Sequence, residues 1–429
     1  MRDHFLPFSP PLLGEEEIAE VVDALRSDWI TTGPKVRRFE GEFAAFIGAQ
    51  AALALNSCTA ALHVALATLG VGPGDAVIST PMTFCSTIHV IEHTGALPLL
   101  VDVEPDTLDV DPALVAQAAQ DLAGGGPAAG RWLPPSLRGT HDAAHVKALL
   151  PVHLYGHPCE MDALLSIATA YGLAIVEDAA HALPATYRGQ GIGAAPALPS
   201  AVPGLPSALP RPPSAVPRLT CFSFYATKNL TTAEGGMLTG APELIEQARV
   251  WSLHGMSRDA WKRYSAEGSW YYEVVRPGFK YNMTDIQAAL GIQQLRRLPA
   301  FQARRREIAR RYTAAFSAIP ELQCPVERPG VEHAWHIYAL RLNLERLTID
   351  RARFIEELQA RRIGTSVHFI PIHLHPYYRD KYGYRPDDFP VACREYWRLV
   401  SLPIYPRMTD DDVQDVIDAV ADVVEKHRR

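Results

Sequence analysis

A lysine, Lys228, closes the apolar run Cys221-Phe-Ser-Phe-Tyr-Ala-Thr-Lys228 and stands ahead of the small-residue stretch Glu234-Gly-Gly236. An acid, Asp178, ends a second apolar run, Ala174-Ile-Val-Glu-Asp178, just before Ala179-Ala-His181. Each run reads as a buried strand opening into a loop. An amine and a carboxylate at the carboxyl ends of buried strands suit one cofactor, pyridoxal 5'-phosphate. The amine forms a Schiff base with its aldehyde, and the carboxylate keeps the pyridine nitrogen protonated so that the ring draws in electrons. Taken singly, a surface lysine after an edge strand and an acid capping a helix explain these residues equally well. The pair gains its meaning from its surroundings.

Asn56-Ser-Cys-Thr-Ala-Ala61 joins a predicted strand to a predicted helix. Free amides at a helix N-terminus, with hydroxyls on Ser57 and Thr59, suit a phosphate, although plain N-capping satisfies the same residues. Ser223 precedes Lys228 and reaches the same phosphate only if the chain turns between them, which Ala226-Thr227 permits. Phe84, in Pro81-Met-Thr-Phe84, is the candidate to stack on a pyridine face, against the alternative of an ordinary core phenylalanine. His181, three residues past Asp178, is placed to reach the cofactor's phenolic oxygen or to serve as a hydrogen-bonded cap. Gly189-Gln-Gly-Ile-Gly193 runs into a proline-rich stretch rather than a helix, so it predicts a hairpin and not a nucleotide fingerprint. His368, His373 and His375 have no glutamate or cysteine at ligand spacing, and no metal site is expected there.

These residues need a scaffold that gathers strand ends. Short apolar runs alternate with helical patterns from about residue 50 to 240. Strands are read at Ala51–Leu55, Ala76–Thr80, Pro98–Val103, Lys147–His153 and from Ala174; helices at Ala60–Gly70, Phe84–His93 and Met161–Tyr171. That alternation implies an α/β fold with a mostly parallel sheet covered on both faces, binding its ligand beyond the carboxyl ends of the strands. Residues 123–145 and 194–217 read as inserted loops, the second built almost wholly from Ala, Pro, Ser, Leu and Val. A long amphipathic helix is expected over Ile286–Phe316, with a break near Pro299. It leads into a smaller α+β region: a strand at Ala334–Leu342, a helix at Ile349–Arg361, a strand at Thr365–Phe369 and a last helix capped by Thr409. The chain thus divides into a large domain, 1–285, and a small one, 286–429.

At 429 residues the chain is long enough for both domains. The net charge of −7 and the absence of a basic run argue against nucleic acid. The N-terminus has no signal-peptide pattern, and no stretch approaches the ~20 apolar residues of a membrane span. The six cysteines are scattered, fitting neither a disulfide framework nor a zinc set. A cytoplasmic enzyme is expected.

Over nearly its full length the sequence resembles the DegT/DnrJ/StrS-type sugar aminotransferases, pyridoxal-phosphate enzymes of fold type I. The resemblance is carried by Trp29-Ile-Thr-Thr-Gly-Pro34, Ser57-Cys-Thr-Ala-Ala-Leu62, Pro81-Met-Thr-Phe84, Pro151-Val-His-Leu-Tyr-Gly156, Glu177-Asp-Ala-Ala-His181 and the run Phe222–Gly236. Gly278-Phe-Lys-Tyr-Asn-Met-Thr-Asp-Ile-Gln287 and Gly364-Thr-Ser-Val-His-Phe369 extend it. It runs nearest to the members that form UDP-4-amino-4-deoxy-arabinose and to those acting on 4-keto-6-deoxy sugars. The resemblance implies that Lys228 is the Schiff-base lysine, Asp178 the pyridinium partner and Phe84 the stacking residue. It gives the phosphate to Cys58, Thr59 and Ser223, beside the Ser57 hydroxyl read above, and the phenolic oxygen to His181. It implies a homodimer in which Asn282 reaches the neighbouring subunit's phosphate. Thr32, Tyr225 and His368 are then substrate-side candidates, for a nucleotide-linked keto-sugar and for L-glutamate or 2-oxoglutarate. Many relatives have Gln in place of His181 and Gly or Ala in place of Cys58, and the proline-rich insertion has no counterpart. Sugar dehydratases of this type carry His in place of the lysine, so Lys228 argues against dehydration. The intact Asp178/Lys228 pair argues against a silent regulator on the same fold.

Overall fold

The computed structural model describes residues 4–139, 145–195, 216–256 and 271–429. Helices α1 (Glu15–Arg26) and α2 (Pro34–Ile47) lead to strand β1 (Ala51–Leu55). Then follow α3 (Cys58–Thr68), β2 (Asp75–Ser79), α4 (Cys85–His93), β3 (Leu97–Leu100), α5 (Pro112–Gly124), α6 (Gly126–Gly130), β4 (His145–Leu149), α7 (Met161–Tyr171) and β5 (Ala174–Asp178). A hairpin of β6 (Thr186–Tyr187) and β7 (Gln190–Gly191) precedes β8 (Arg218–Ser223), β9 (Gly236–Gly240) and α8 (Pro242–Ser252). The seven-stranded sheet has the order β1-β9-β8-β5-β4-β2-β3. Only β9 runs against its neighbours; the other contacts are parallel.

Side-chain alternation along these strands explains the two covering layers. Val176, Leu219, Cys221 and Leu238 pack beneath α3, α4 and α8. On the opposite face Ile78, Leu149 and Ile175 meet α5 and α7, while Ala52, Ala54, Phe222 and Met237 meet α2 and α9 (Asp285–Phe316). The far half of α9 buries Ile308, Tyr312 and Phe316 in a separate core. That core includes β12 (Tyr338–Leu342), which follows β10 (Leu322–Gln323) and β11 (Val331–Glu332). It continues through α10 (Arg351–Ala360) and, after α11 (Pro376–Tyr382) and α12 (Pro390–Arg398), through β13 (Leu399–Leu402) and α13 (Asp410–His427). Strands β10, β12 and β13 form a three-stranded antiparallel sheet. Thr409 caps α13 by accepting from Asp412 N–H at 3.1 Å.

The sequence expectations need correction at several places. Helix α9 runs unbroken through Pro299. The proline forfeits one ladder bond, yet Leu295, Leu298, Phe301 and Gln302 are buried on either side of it, and Arg297 Nη1 holds Glu17 of α1 at 2.7 Å. Thr365–Phe369 is not a strand: among the described residues its only pairing is a single bridge from Ser366 to Ser401, and the chain turns from there toward the cavity described below. Of Ala334–Leu342, only the last five residues are strand. Residues 123–145 contain α6 and a 3-10 turn at Pro135–Leu137 rather than loop alone. Most of the proline-rich stretch, 196–215, lies outside the described residues. The Gly189–Gly193 hairpin forms as expected, turning through Arg188 and Gly189 at positive φ. No helix among the described residues is long and apolar enough to cross a membrane.

Candidate active site

Strand β5 ends on Asp178, and β8 lies beside it in parallel with Cys221 opposite Asp178. Past Ser223 the chain leaves the sheet in a turn, in which Lys228 N–H bonds Tyr225 C=O at 2.9 Å. Ser223 and Lys228 therefore face one space. That space is a cavity of about 540 Å³ at the carboxyl edge of the sheet, within the size range of small-ligand sites. Ser57, Cys58, Thr59, Phe84, Asp178, His181, Ser223, Tyr225, Lys228 and His368 all border it. Thr32 and Asn282 do not: Asn282 Nδ2 donates to Thr32 Oγ1 at 2.7 Å, and Thr32 donates to Met283 C=O at 2.6 Å.

The N-terminus of α3 borders the cavity through Ser57, Cys58 and Thr59. Ser57 Oγ accepts from Ala60 N–H at 3.1 Å, so its capping role is real. The first intrahelical bond is that of Ala61 N–H to Ser57 C=O, which leaves the amides of Cys58 and Thr59 ahead of it. Gly236 makes this turn compact. A Cβ there would lie 2.5 Å from the Ser57 carbonyl and 2.6 Å from Cys58 N, so only glycine lets β9 press against the helix start.

Asp178, 4% exposed, borders the same cavity. Thr87 Oγ1 donates to its Oδ2 at 2.8 Å and Ala180 N–H to its Oδ1 at 3.1 Å. Burial raises its pKa, opposed by the Thr87 bond, the Ala180 amide and the Lys228 charge. Burial also lowers Lys228, to about 8, with Asp178 and Cys58 pulling the other way. The lysine is thus partly neutral near physiological pH, as a base must be. His181 Nδ1 accepts from Tyr155 N–H at 3.2 Å. Its proton accordingly sits on Nε2, ready to donate to an oxygen.

The rim is aromatic. Phe84, 56% exposed, caps α4 and lies 5.8 Å from Phe369. Phe369 stacks on His181 at 5.7 Å. The N-terminal segment closes one side: Leu6 bonds the backbone of Arg362 and Gly364 (2.9 and 2.8 Å), and Phe8 stacks on His368 at 5.3 Å. Among the described residues, no group of three His, Cys, Asp or Glu is placed to hold a metal ion.

Four residues at or behind the site escaped the sequence reading: Thr87, Phe8, Asn229 and His336. His336 Nε2 lies 3.4 Å from Lys228 Nζ, and its Nδ1 lies 3.2 Å from Asn229 Oδ1. Of these, only Asn229 offered a signal, through its place directly after the lysine.

The donor set fits pyridoxal phosphate. An anion would find the amides of α3, a ring cation would give Asp178 the charge partner that its two neutral donors do not supply, and an aldehyde would meet Lys228. The fold and this arrangement together define a pyridoxal-phosphate-dependent enzyme of fold type I. The chain matches the DegT/DnrJ/EryC1/StrS aminotransferase family over residues 11–421 and belongs to it. It is a sugar aminotransferase by family. It is 48% identical to the spore coat polysaccharide biosynthesis protein SpsC of Bacillus subtilis (strain 168), covering 99% of this chain and 98% of SpsC. Spr1654 from Streptococcus pneumoniae, named a sugar aminotransferase and solved in its PLP form, superposes with a TM-score of 0.81 at 33% identity, covering 99% of each chain. DesV of S. venezuelae gives a TM-score of 0.78 at 32% identity, covering 98% of this chain and 99% of its own.

Proposed function

We propose that the enzyme moves an amino group from L-glutamate to the keto carbon, C4, of a nucleotide-linked sugar, in the cytoplasm, for polysaccharide or secondary-metabolite sugars. The observation that carries this reading is that Lys228, Asp178 and the N-terminus of α3 border one cavity. When bound, pyridoxal phosphate supplies an electron sink for the carbon that loses its proton. Lys228 would carry the cofactor in the resting enzyme; once free, its Nζ would take the proton from the donor carbon and deliver it, from the same face, to the carbon that had been the cofactor's aldehyde. A pKa lowered by burial makes that transfer possible. Asp178 holds the ring nitrogen's proton, and His181 Nε2–H holds the phenolic oxygen. The amides of Cys58 and Thr59, with the hydroxyls of Ser57, Thr59 and Ser223, hold the phosphate, while Phe84 covers the ring face.

Residues 1–285 then serve as the cofactor-binding domain and 286–429 as the smaller domain that completes its wall. The open rim, with Phe84 and Tyr225 (48% exposed), is where a second subunit would bring its own Asn282. Tyr225 and His368 are the substrate-side residues of this cavity; Thr32, bonded to Asn282 away from it, would reach a substrate only where a second subunit brings its Asn282. The test is a pair of half-reactions followed by the visible absorbance of the cofactor. Glutamate should bleach the resting band, and one of a panel of UDP-, GDP- and dTDP-keto-sugars should restore it. Failure of glutamate to bleach the band in fully loaded enzyme would overturn the donor assignment.

A further inference from the structure

The side-chain amide of Asn229 decides where its neighbour carries a proton. Asn229 Nδ2 donates to the carbonyls of Leu183 and Ala334 at 2.9 and 2.8 Å. Its Oδ1 is therefore the atom that faces His336 Nδ1 at 3.2 Å. An amide oxygen can only accept, so Nδ1 bears the hydrogen and Nε2 turns a lone pair toward Lys228 Nζ, 3.4 Å away. The ring has little freedom. It is 6% exposed and lies 4.5 Å from the His181 ring.

A buried guanidinium guards this neutral form. Arg305 of α9 is 2% exposed, and its Nη1 donates to the carbonyls of Ile404 (2.6 Å), Trp335 (3.2 Å) and His336 itself (3.4 Å). Those partners are dipoles rather than counter-ions, so the positive charge persists behind the imidazole and opposes a second one there. Lys228, His181 and His368 oppose it from the cavity side. The groups facing Lys228 are Asp178 from β5, Cys58 from α3, and the three neutral histidines 181, 336 and 368.

We propose that His336 is a positioning residue: fixed by Asn229 in its Nδ1–H form, it accepts a hydrogen bond from Lys228 Nζ and holds the free amine aimed across the cavity. No bond is made or broken in this step, and the proton stays on the lysine. The inference rests on the reading of Lys228 as the amine that carries the cofactor. It implies that His336 favours the ammonium form and so opposes part of what burial does to Lys228.

The experiment uses cofactor-free, full-length enzyme. Competitive acetylation with acetic anhydride, read at Lys228 by mass spectrometry across pH, gives the protonation midpoint of that one amine. His336→Phe should move the midpoint down by about one pH unit, the size of one hydrogen bond to a charged group. His336→Gln, whose Oε1 restores an acceptor near the position of Nε2, should stay within about 0.3 units of wild type. In loaded enzyme, His336→Phe should lower kcat about 10-fold with little change in KM for glutamate, and Gln should recover most of it. An unmoved midpoint in the Phe variant, or a Gln variant as shifted as Phe, overturns the proposal. Should the Phe variant fail to fold, ¹⁵N NMR of histidine-labelled wild type decides: His336 protonated on Nδ1 supports the proposal, and protonation on Nε2 overturns it. The lysine reading fails separately, if borohydride fixes the cofactor to a residue other than Lys228.

Discussion

Glu177 and Asp178 are consecutive residues of one buried strand, and their surroundings differ in kind. Glu177 points to the face where Arg218 gives it bonds of 2.5 and 3.0 Å, Thr220 one of 2.7 Å, and His153 one of 3.0 Å. Burial raises its pKa, but Arg218 and His153 outweigh this and hold the carboxyl well below the usual range. Asp178, on the opposite face, receives one hydroxyl and one amide, and burial raises its pKa. Burial alone therefore does not distinguish an acid open to a further partner from one already satisfied. The unspent bonding capacity does.

Lys228→Ala is expected to have the largest effect. It should remove the visible band of bound cofactor and lower turnover by roughly 10⁴-fold, the upper range for loss of an acid–base group. A variant that kept both colour and turnover would end the assignment. Asp178→Asn should lower kcat by about 10²–10³-fold, as for other lost electrostatic partners of the reacting group. Its effect on the cofactor-free protein has the opposite sign. An acid whose folded pKa is raised stabilises the fold below its unfolded value and loses that contribution as pH rises through the folded value. At pH 7 the Asn variant should therefore melt higher, by about 2 °C in calorimetry.

Glu177→Gln should break the comparison from the other side. It leaves Arg218, its side chain 17% exposed, without its counter-charge and should cost about 3 kcal/mol in denaturant titration, with turnover of the surviving folded enzyme within about two-fold. The depressed pKa of Glu177 stabilises the fold above its unfolded value near 4.5, and this is lost as pH falls toward the folded value. The Gln variant should accordingly show a flatter loss of melting temperature below pH 4.5. Smallest of all, Thr87→Val should remove one bond to Asp178, raising its pKa further. The acid limb of cofactor retention should move up by about half a unit, at a stability cost near 1 kcal/mol.

The strand ends were readable because apolar runs broken by small residues carry a strong period, and α7 and β5 begin where the pattern begins. Lys228 and Asp178 stood out through their placement at those ends. Thr87 and His336 did not, since a lone threonine in a helix and a lone histidine before a strand have many commoner explanations. Both act through contacts across more than 90 residues of chain. The expected break at Pro299 failed because local backbone preference lost to burial on both sides of the proline. Val367-His-Phe369 alternates like a strand, yet His368 and Phe369 line the cavity, and among the described residues the segment pairs only through the Ser366–Ser401 bridge.

The stacking of Phe8 on His368 has a temporal consequence. A ribosome releases the first of these rings some 360 residues before the second. The side of the vestibule that these two rings close is therefore the last to be completed as the polypeptide emerges. Fusion partners joined directly before Phe5 would press on that same closure.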